Sequence, residues 1–171
     1  SDSLTLFLVD MRNNGVNASE LRKVGNHSSS TATVSFENVK IGADYVLGSV
    51  GQGLRQLKAT LTEGRILVAN RGLGIGQDAY ECILRYAGER NAFGQPIGKF
   101  QAVAFKIAEM ATRCDAARLM IYWAARLKMA GHDCVREASM AKFMASELAV
   151  HAATSSLLLH GGAGYMEGMK I

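Results

Sequence analysis

The spacing of hydrophobic positions changes once along the chain, near residue 50. Residues 1–48 contain short apolar or alternating stretches at 4–11 and 31–36, which predict β-strands. Asn, Asn and Gly at 13–15 indicate a turn between strands. Beyond residue 50, apolar residues recur every three to four positions, which predicts helices. The three helical segments are proline-free and cover 52–89, 100–130 and 134–159.

Short connections between the three helices predict an antiparallel up-down bundle. Gly131 is expected to end the second helix, and Asp133 to cap the start of the third. In the first helix, the larger apolar residues, among them Leu57, Leu61 and Val68, predict the buried face. The predicted fold class is α+β and predominantly α, with strands in residues 1–48 and the bundle in residues 49–171. Two or three strands are too few for an independent sheet, so further strands are expected elsewhere in the protein, and the chain is expected to be truncated at both ends.

Composition is compatible with a globular core and excludes several classes of function. Hydrophobic residues make up 49% of the chain, and the net charge of +4 is scattered, so no basic segment for nucleic acid is evident. No apolar run reaches the roughly 18 residues of a membrane span. The 3 cysteines lack metal or redox spacing, which favours reduced thiols and an intracellular compartment. The 4 histidines show no metal-ligand spacing, so no metal site is expected.

The three glycines of 72–76 do not form a dinucleotide-binding fingerprint. Their spacing is G-x-G-x-G, and a helical pattern rather than a strand precedes them. We interpret Gly72, Gly74 and Gly76 as small residues that allow another helix to approach closely.

A turn with candidate chemistry joins the first two helices. Arg90 precedes Phe93 and Gly94, the only proline of the chain follows, and Gln101 starts the next helix. A guanidinium and an amide at one corner of a bundle suit a diphosphate and a polar ring. The alternative is a plain helix reversal.

Two other segments combine polar or flexible residues with apolar neighbours. Glu63 and Arg65 lie two positions apart in the first helix, so they point to different faces, and a solvated surface is the alternative to an anion site. The third helix ends in a glycine-rich segment at 160–165. Gly161 and Gly162 predict either a helix C-terminus or a backbone platform that a ligand can approach closely.

Taken in order, these motifs resemble the C-terminal part of the acyl-CoA dehydrogenase family. The turn is similar to the family signature R-x-x-F-G-x-x-I-x-x-x-Q, and the passage at 36–53 is similar to the one that leaves the family's middle β-domain. The Glu-Gly-Arg at 63–65 and the Gly-Gly-x-Gly-Tyr at 161–165 also match. The resemblance implies that residues 1–48 end a β-barrel-like domain and residues 49–171 form three of the four helices of a C-terminal bundle.

The resemblance implies an FAD-dependent oxidoreductase that converts an acyl-CoA thioester to the 2-enoyl-CoA and passes electrons to an electron-transfer flavoprotein. Arg90 resembles the arginine that meets the FAD diphosphate of a neighbouring subunit. Phe93 and Gln101 resemble residues that contact the adenosine half of that FAD. Gly161 and Gly162 resemble glycines that let the backbone approach it. A homo-oligomer, usually a tetramer, is implied.

On the substrate side, Arg65 resembles the arginine beside the thioester pocket, and Leu61 and Thr62 resemble residues of the substrate channel. Some family members place the catalytic base immediately before this arginine, where the chain has Gly64. Glu63 is one residue away, rotated by about 100° on a helix, and is the candidate within the chain. In most members the base follows the region that this chain covers. Leu158 stands where the family often has a flavin-contacting glutamine, and Thr62 where it often has an aspartate.

Two alternatives remain open at this point. The same scaffold also serves acyl-CoA oxidases and flavin monooxygenases, and oxygen access to the flavin separates these from the dehydrogenases. A non-catalytic helical interaction module would contain no flavin. The resemblance implies a cytoplasmic location in a bacterium or the mitochondrial matrix in a eukaryote.

Overall fold

The computed structural model describes residues 4–169. Contacts within the chain divide it after Ala59 into two compact units, and each unit is described by itself. The boundary predicted from the family resemblance, at residues 48 and 49, stays a prediction.

The first unit contains four short strands and the first residues of a long helix. The strands are β1 (Leu6–Phe7), β2 (Val16–Glu20), β3 (Ala32–Phe36) and β4 (Val46–Leu47), and a 3₁₀ helix covers Ala43–Tyr45. β2 and β3 form an antiparallel hairpin with Val16 opposite Phe36, and β1 pairs with β4. The strand predicted at 4–11 is therefore confirmed only at Leu6–Phe7, because its partner β4 also has just two residues.

Three long helices dominate the described residues, as predicted. They are α1 (Gly53–Glu89), α2 (Gln101–Met129) and α3 (Val135–Leu159), with boundaries within one residue of those predicted. Gly131 follows α2 with φ of +77°, a left-handed conformation that favours glycine. The Asp133 carboxylate accepts a hydrogen bond from the Val135 amide at 3.1 Å, although Cys134 occupies the cap position itself.

Contacts between the helices define an up-down-up bundle in the second unit. Near the start of α1, Glu63 pairs with Lys128 near the end of α2, so these two helices are antiparallel. Along α1, Gly72 meets Ala145 of α3 and Gly76 meets Leu148, so α1 and α3 run in the same direction. The predicted bundle topology is confirmed.

The core of the bundle consists mostly of small residues. Its largest fully buried side chains are Ile83, Met110, Ile121 and Leu148. Buried alanines from all three helices surround them: Ala69, Ala79, Ala117, Ala124, Ala141, Ala145 and Ala152. A Cβ on Gly72 would lie 2.6 Å from the Ala145 carbonyl oxygen, so the helices meet where side chains are smallest. The interpretation of these glycines as a helix contact is confirmed for Gly72 and Gly76, but it is wrong for Gly74, where a Cβ would meet nothing within 4 Å.

The buried face predicted for α1 is wrong in part. Leu57, Leu61 and Val68 are 41–47% exposed. The buried positions of α1 include Thr62, Ala69, Gly72 and Gly76 instead. Small residues occupy the interior there because the helices approach each other closely. Several larger apolar residues of α1 consequently lie on its outer surface, whereas Ile83 is buried and Ile66 and Leu73 pack against the core.

A two-stranded hairpin and two 3₁₀ helices complete the second unit. β5 (Asn91–Ala92) and β6 (Gln95–Pro96) pair antiparallel between α1 and α2, followed by a 3₁₀ helix at Ile97–Lys99. Another 3₁₀ helix at Gly161–Tyr165 follows α3. No helix among residues 4–169 is long and apolar enough to cross a membrane. The three cysteines are free thiols, and Cys114 and Cys134 are buried.

Candidate functional site

The hairpin after α1 holds Arg90 by its main chain at both sides. The Arg90 amide donates to the Tyr86 carbonyl at 2.8 Å, which extends the last turn of α1. The Arg90 carbonyl accepts from the Ile97 amide at 2.8 Å, which ties the residue to the far side of the hairpin. With its backbone fixed, Arg90 presents its guanidinium from a defined position at the end of the bundle.

The glycine-rich end of α3 is compact on one side and open on the other. A Cβ on Gly164 would lie 2.5 Å from the Leu157 carbonyl oxygen, so this position requires glycine. Gly161 has φ of +59°, which also favours glycine. A Cβ on Gly161 or Gly162 would meet nothing within 4 Å, so open space lies where their side chains would stand.

A cavity of about 360 Å³ brings Arg90 together with Gly161 and Gly162. The lining residues come from α1, α3 and the two 3₁₀ helices: Tyr86, Arg90, Ile97, Leu159, His160, Gly161, Gly162 and Ala163. This described lining includes a guanidinium and no carboxylate. A cation beside peptide groups without side chains is an arrangement that binds a phosphate or diphosphate.

An aromatic contact between α1 and α3 forms one wall of this cavity. The rings of Tyr86 and His160 stack with centroids 4.2 Å apart and planes 29° apart. The Tyr86 hydroxyl also donates to the His160 carbonyl oxygen at 3.4 Å. Neither Tyr86 nor His160 is among the site residues predicted from the sequence. The available signal was their position, since Tyr86 lies one helical turn before Arg90 and His160 directly precedes Gly161.

Phe93 and Gln101 lie on the surface of the connection between α1 and α2, outside the lining of the Arg90 cavity. Phe93 is 97% exposed and has φ of +51°, and its ring touches Phe100 edge-on with centroids 6.2 Å apart. An exposed aromatic side chain at the tip of an ordered hairpin is available to a ligand or to another subunit. The assignment of both residues to a cofactor stays a prediction.

The predicted substrate residues lie near the start of α1, about 37–44 Å along the helix from Arg90 at the usual rise. Thr62 is buried, Arg65 is half-buried and Leu61 is exposed. Their positions form a group separate from the Arg90 cavity, and their roles stay predictions.

Glu63, the candidate base, makes an ion pair with Lys128 of α2 at 2.8 Å. The hydrogen bond with Glu63 raises the pKa of Lys128 above its usual value. The Glu63 side chain is 59% exposed. The carboxylate therefore lies at the solvent-facing surface of the bundle and is already paired with an ammonium group. Its proposed role as a base gains no support from this geometry.

No group of three His, Cys, Asp or Glu residues that could hold a metal ion occurs within residues 4–169.

Comparison with known proteins identifies the family. A family model described as "Acyl-CoA dehydrogenase, C-terminal domain" matches residues 51–171, more than half of the chain. The chain belongs to the acyl-CoA dehydrogenase family. It is 40% identical over 167 residues to the human mitochondrial short-chain specific acyl-CoA dehydrogenase, covering 97% of this chain and 40% of that protein. It is 38% identical over 169 residues to a subunit of the caffeyl-CoA reductase–Etf complex of Acetobacterium woodii, covering 98% of this chain and 45% of the relative.

The fold of this acyl-CoA dehydrogenase segment matches solved structures closely. Butyryl-CoA dehydrogenase from Megasphaera elsdenii superposes with a TM-score of 0.93 at 35% identity, covering 97% of this chain and 44% of that one. The chain therefore spans less than half the length of the relatives it matches.

Proposed function

We propose that this chain is part of an FAD-dependent acyl-CoA dehydrogenase, and that it holds the FAD diphosphate through Arg90 and the backbone of Gly161 and Gly162. The activity proposed for the whole protein is α,β-dehydrogenation of an acyl-CoA thioester to the 2-enoyl-CoA. The observation that carries the proposal is the cavity in which Arg90, from the end of α1, lies beside the glycine pair that follows α3.

The cavity suits a diphosphate on grounds of chemistry. Arg90 offers several N–H donors in a planar fork, which matches two phosphate oxygens. Gly161 and Gly162 have open space where a Cβ would stand, so no side chain holds a ligand away from their backbone. The bound flavin would supply the redox chemistry by accepting the hydride, and these residues of the chain would bind and orient the dinucleotide.

The exposed hairpin extends the same proposal to the adenosine half of FAD. Phe93 presents an aromatic face to the exterior, and Gln101 presents an amide at the start of α2. Because both lie on the surface, we propose that they act on a dinucleotide held by a neighbouring subunit. The protein would then need to be a homo-oligomer, with a tetramer as the proposed form.

An exposed apolar face on α3 supports this association. Met140, Phe143, Val150 and Leu157 recur at three- to seven-residue intervals and are 42–69% exposed. Such a stripe is costly to leave in water and fits another subunit. Sedimentation of the full-length protein measures its size, and a monomer at micromolar concentration would contradict the proposal.

For the substrate side, we propose that Arg65, Leu61 and Thr62 border the acyl-CoA channel, and that the base which takes the α-proton lies outside residues 1–171. The exposed ion pair of Glu63 is the physical reason to assign the base elsewhere. We propose an electron-transfer flavoprotein as the electron acceptor, since one relative is named as part of an Etf complex. The proposed compartment is the cytoplasm in a bacterium or the mitochondrial matrix in a eukaryote.

Arg90→Ala in the full-length protein tests the proposal. Loss of a charge-assisted hydrogen bond costs about 1.5–3 kcal/mol, so the FAD dissociation constant should rise by about tenfold or more. Flavin content is measured by absorbance after gel filtration, and the dissociation constant by titration of the apoprotein with FAD.

Arg85→Ala is the matched control, because Arg85 is an exposed arginine of α1 outside the cavity lining. Equal FAD retention in the two variants would refute the assignment of Arg90. A full-length protein without flavin would instead favour an interaction module. Peroxide production without transfer to an electron-transfer flavoprotein would favour an oxidase on the same scaffold.

A further inference from the structure

His160 has a hydrogen-bonding arrangement that fixes which ring nitrogen is free. Its Nδ1 lies 2.7 Å from the Ser156 carbonyl oxygen. A carbonyl oxygen only accepts, so Nδ1 must carry a hydrogen and donate it. The neutral ring is therefore the Nδ1–H tautomer, and Nε2 carries the lone pair. Within residues 4–169, Nε2 makes no hydrogen bond, although His160 is only 4% exposed.

The groups around His160 favour a second cation beside Arg90 only when an anionic ligand is bound there as well. From α1, Tyr86 stacks on the ring and Arg90 lines the same cavity. The 3₁₀ helices contribute Ile97, Gly161, Gly162 and Ala163 to the lining, none of which is charged. An aromatic face stabilises a stacked cation. Within this described lining, no carboxylate competes with a bound anion for His160 or Arg90.

We propose that His160 is a ligand-contacting residue that takes up a proton when the FAD diphosphate binds, and donates through Nε2 to a phosphate oxygen. The inference rests on the proposed function. Each phosphate of a dinucleotide carries a negative charge, so a second cation beside Arg90 matches the diphosphate. Protonation at Nε2 gives the charged imidazolium, because Nδ1 already carries a hydrogen and donates it to the Ser156 carbonyl oxygen.

Proton uptake makes the binding of FAD depend on pH with a definite sign. Free histidine side chains titrate near pH 6.5. A bound diphosphate beside the ring favours its protonated form, so protonation and FAD binding strengthen each other. FAD should therefore bind several-fold more tightly at about pH 6 than at about pH 8.

The test measures FAD binding to the full-length apoprotein by calorimetry at both pH values. Repeating each titration in two buffers with different ionisation enthalpies gives the number of protons taken up. The unaltered protein should take up protons near neutral pH, and His160→Leu should lose both this uptake and the pH dependence. His132→Leu is the matched control, because His132 is exposed in the turn between α2 and α3. A second variant, His160→Gln, keeps a polar side chain but cannot be protonated, so it should bind FAD with flat pH dependence.

The outcomes separate this inference from the proposed function. If Arg90→Ala weakens FAD binding while His160→Leu and His160→Gln keep the proton uptake of the unaltered protein, the inference is wrong and the function stands. If Arg90→Ala changes nothing, the FAD assignment of the cavity fails. If His160→Leu does not fold, His160→Gln alone decides between retained and lost proton uptake.

Discussion

The contact between α1 and α3 at Gly72 offers a sharp test of how this bundle packs. A Cβ at Gly72 would lie 2.6 Å from the carbonyl oxygen of Ala145 and 2.9 Å from its carbonyl carbon. Those atoms are backbone, so no side chain can turn away, and Gly72→Ala must push the two helices apart. Gly74 lies two residues along the same helix, and a Cβ there would meet nothing within 4 Å. Gly74→Ala is therefore the matched control.

The expected difference follows from a simple comparison of the two variants. Both replace a glycine inside the same helix by alanine, which by itself stabilises the helix by about 1 kcal/mol. This gain is common to both variants and cancels in the comparison. What remains is the cost of overpacking at Gly72, about 1–3 kcal/mol. At about 2–4 °C per kcal/mol for a domain of this size, Gly72→Ala should melt about 2–12 °C below Gly74→Ala.

The assay is thermal unfolding of the full-length protein, followed by circular dichroism at equal protein concentration. Gly74→Ala should melt at or above the temperature of the unaltered protein. If Gly72→Ala melts together with Gly74→Ala, the close approach of α1 and α3 is refuted, and with it the explanation for the glycine-rich segment.

Two further predictions concern charged groups. Glu63→Gln should change the kcat of the full-length enzyme by no more than a few-fold from that of the unaltered protein, because Glu63 is engaged in an exposed ion pair with Lys128. A loss of about 10²-fold or more, typical of a removed general base, would show that Glu63 is the base after all. Arg113 donates to Glu109 at 2.9 Å, and this hydrogen bond lowers the pKa of Glu109. A lowered pKa of Glu109 stabilises the folded state above the unfolded-state pKa, and the effect is lost as the pH falls through the folded-state pKa. Arg113→Ala should therefore melt lower than the unaltered protein at pH 7, and the difference should be smaller at pH 3. A gap of equal size at both pH values would contradict this account.

The helices could be predicted from the sequence because their signals are local. Apolar spacing, the absence of proline and the stop at Gly131 located the ends of α1, α2 and α3 to within a residue. Which face of α1 is buried depended on its neighbours instead. The transfer free energy of a large apolar side chain such as Leu61 predicts that it is buried. The contact between α1 and α3 is instead made at Gly72, where the absence of a side chain lets the helices approach closely. The strands were harder, since a two-residue ladder such as β1 with β4 leaves little periodicity to detect.

The candidate site was predictable as motifs and less so as a cavity. Arg90 and the glycine pair each carried a recognisable signal, and the structure places them together. Tyr86 and His160 carried only the weak signal of their positions near Arg90 and Gly161, because a buried histidine and a helical tyrosine are ordinary core residues until their stacking is seen. Phe93 and Gln101 lie exposed outside this cavity, so one continuous motif in the sequence does not correspond to one pocket of the chain.

The packing of the bundle also explains why Arg90 and Gly161 meet. α1 and α3 run in the same direction from the contact of Gly72 with Ala145. From there to Arg90 is about 27 Å at the usual helical rise, and from Ala145 to Gly161 about 24 Å. The two helices therefore end at nearly the same level, and the residues that follow them face one cavity. A side chain at Gly72 that shifts α3 relative to α1 would alter this register, so Gly72→Ala should weaken FAD binding in a protein that still folds, whereas Gly74→Ala should not.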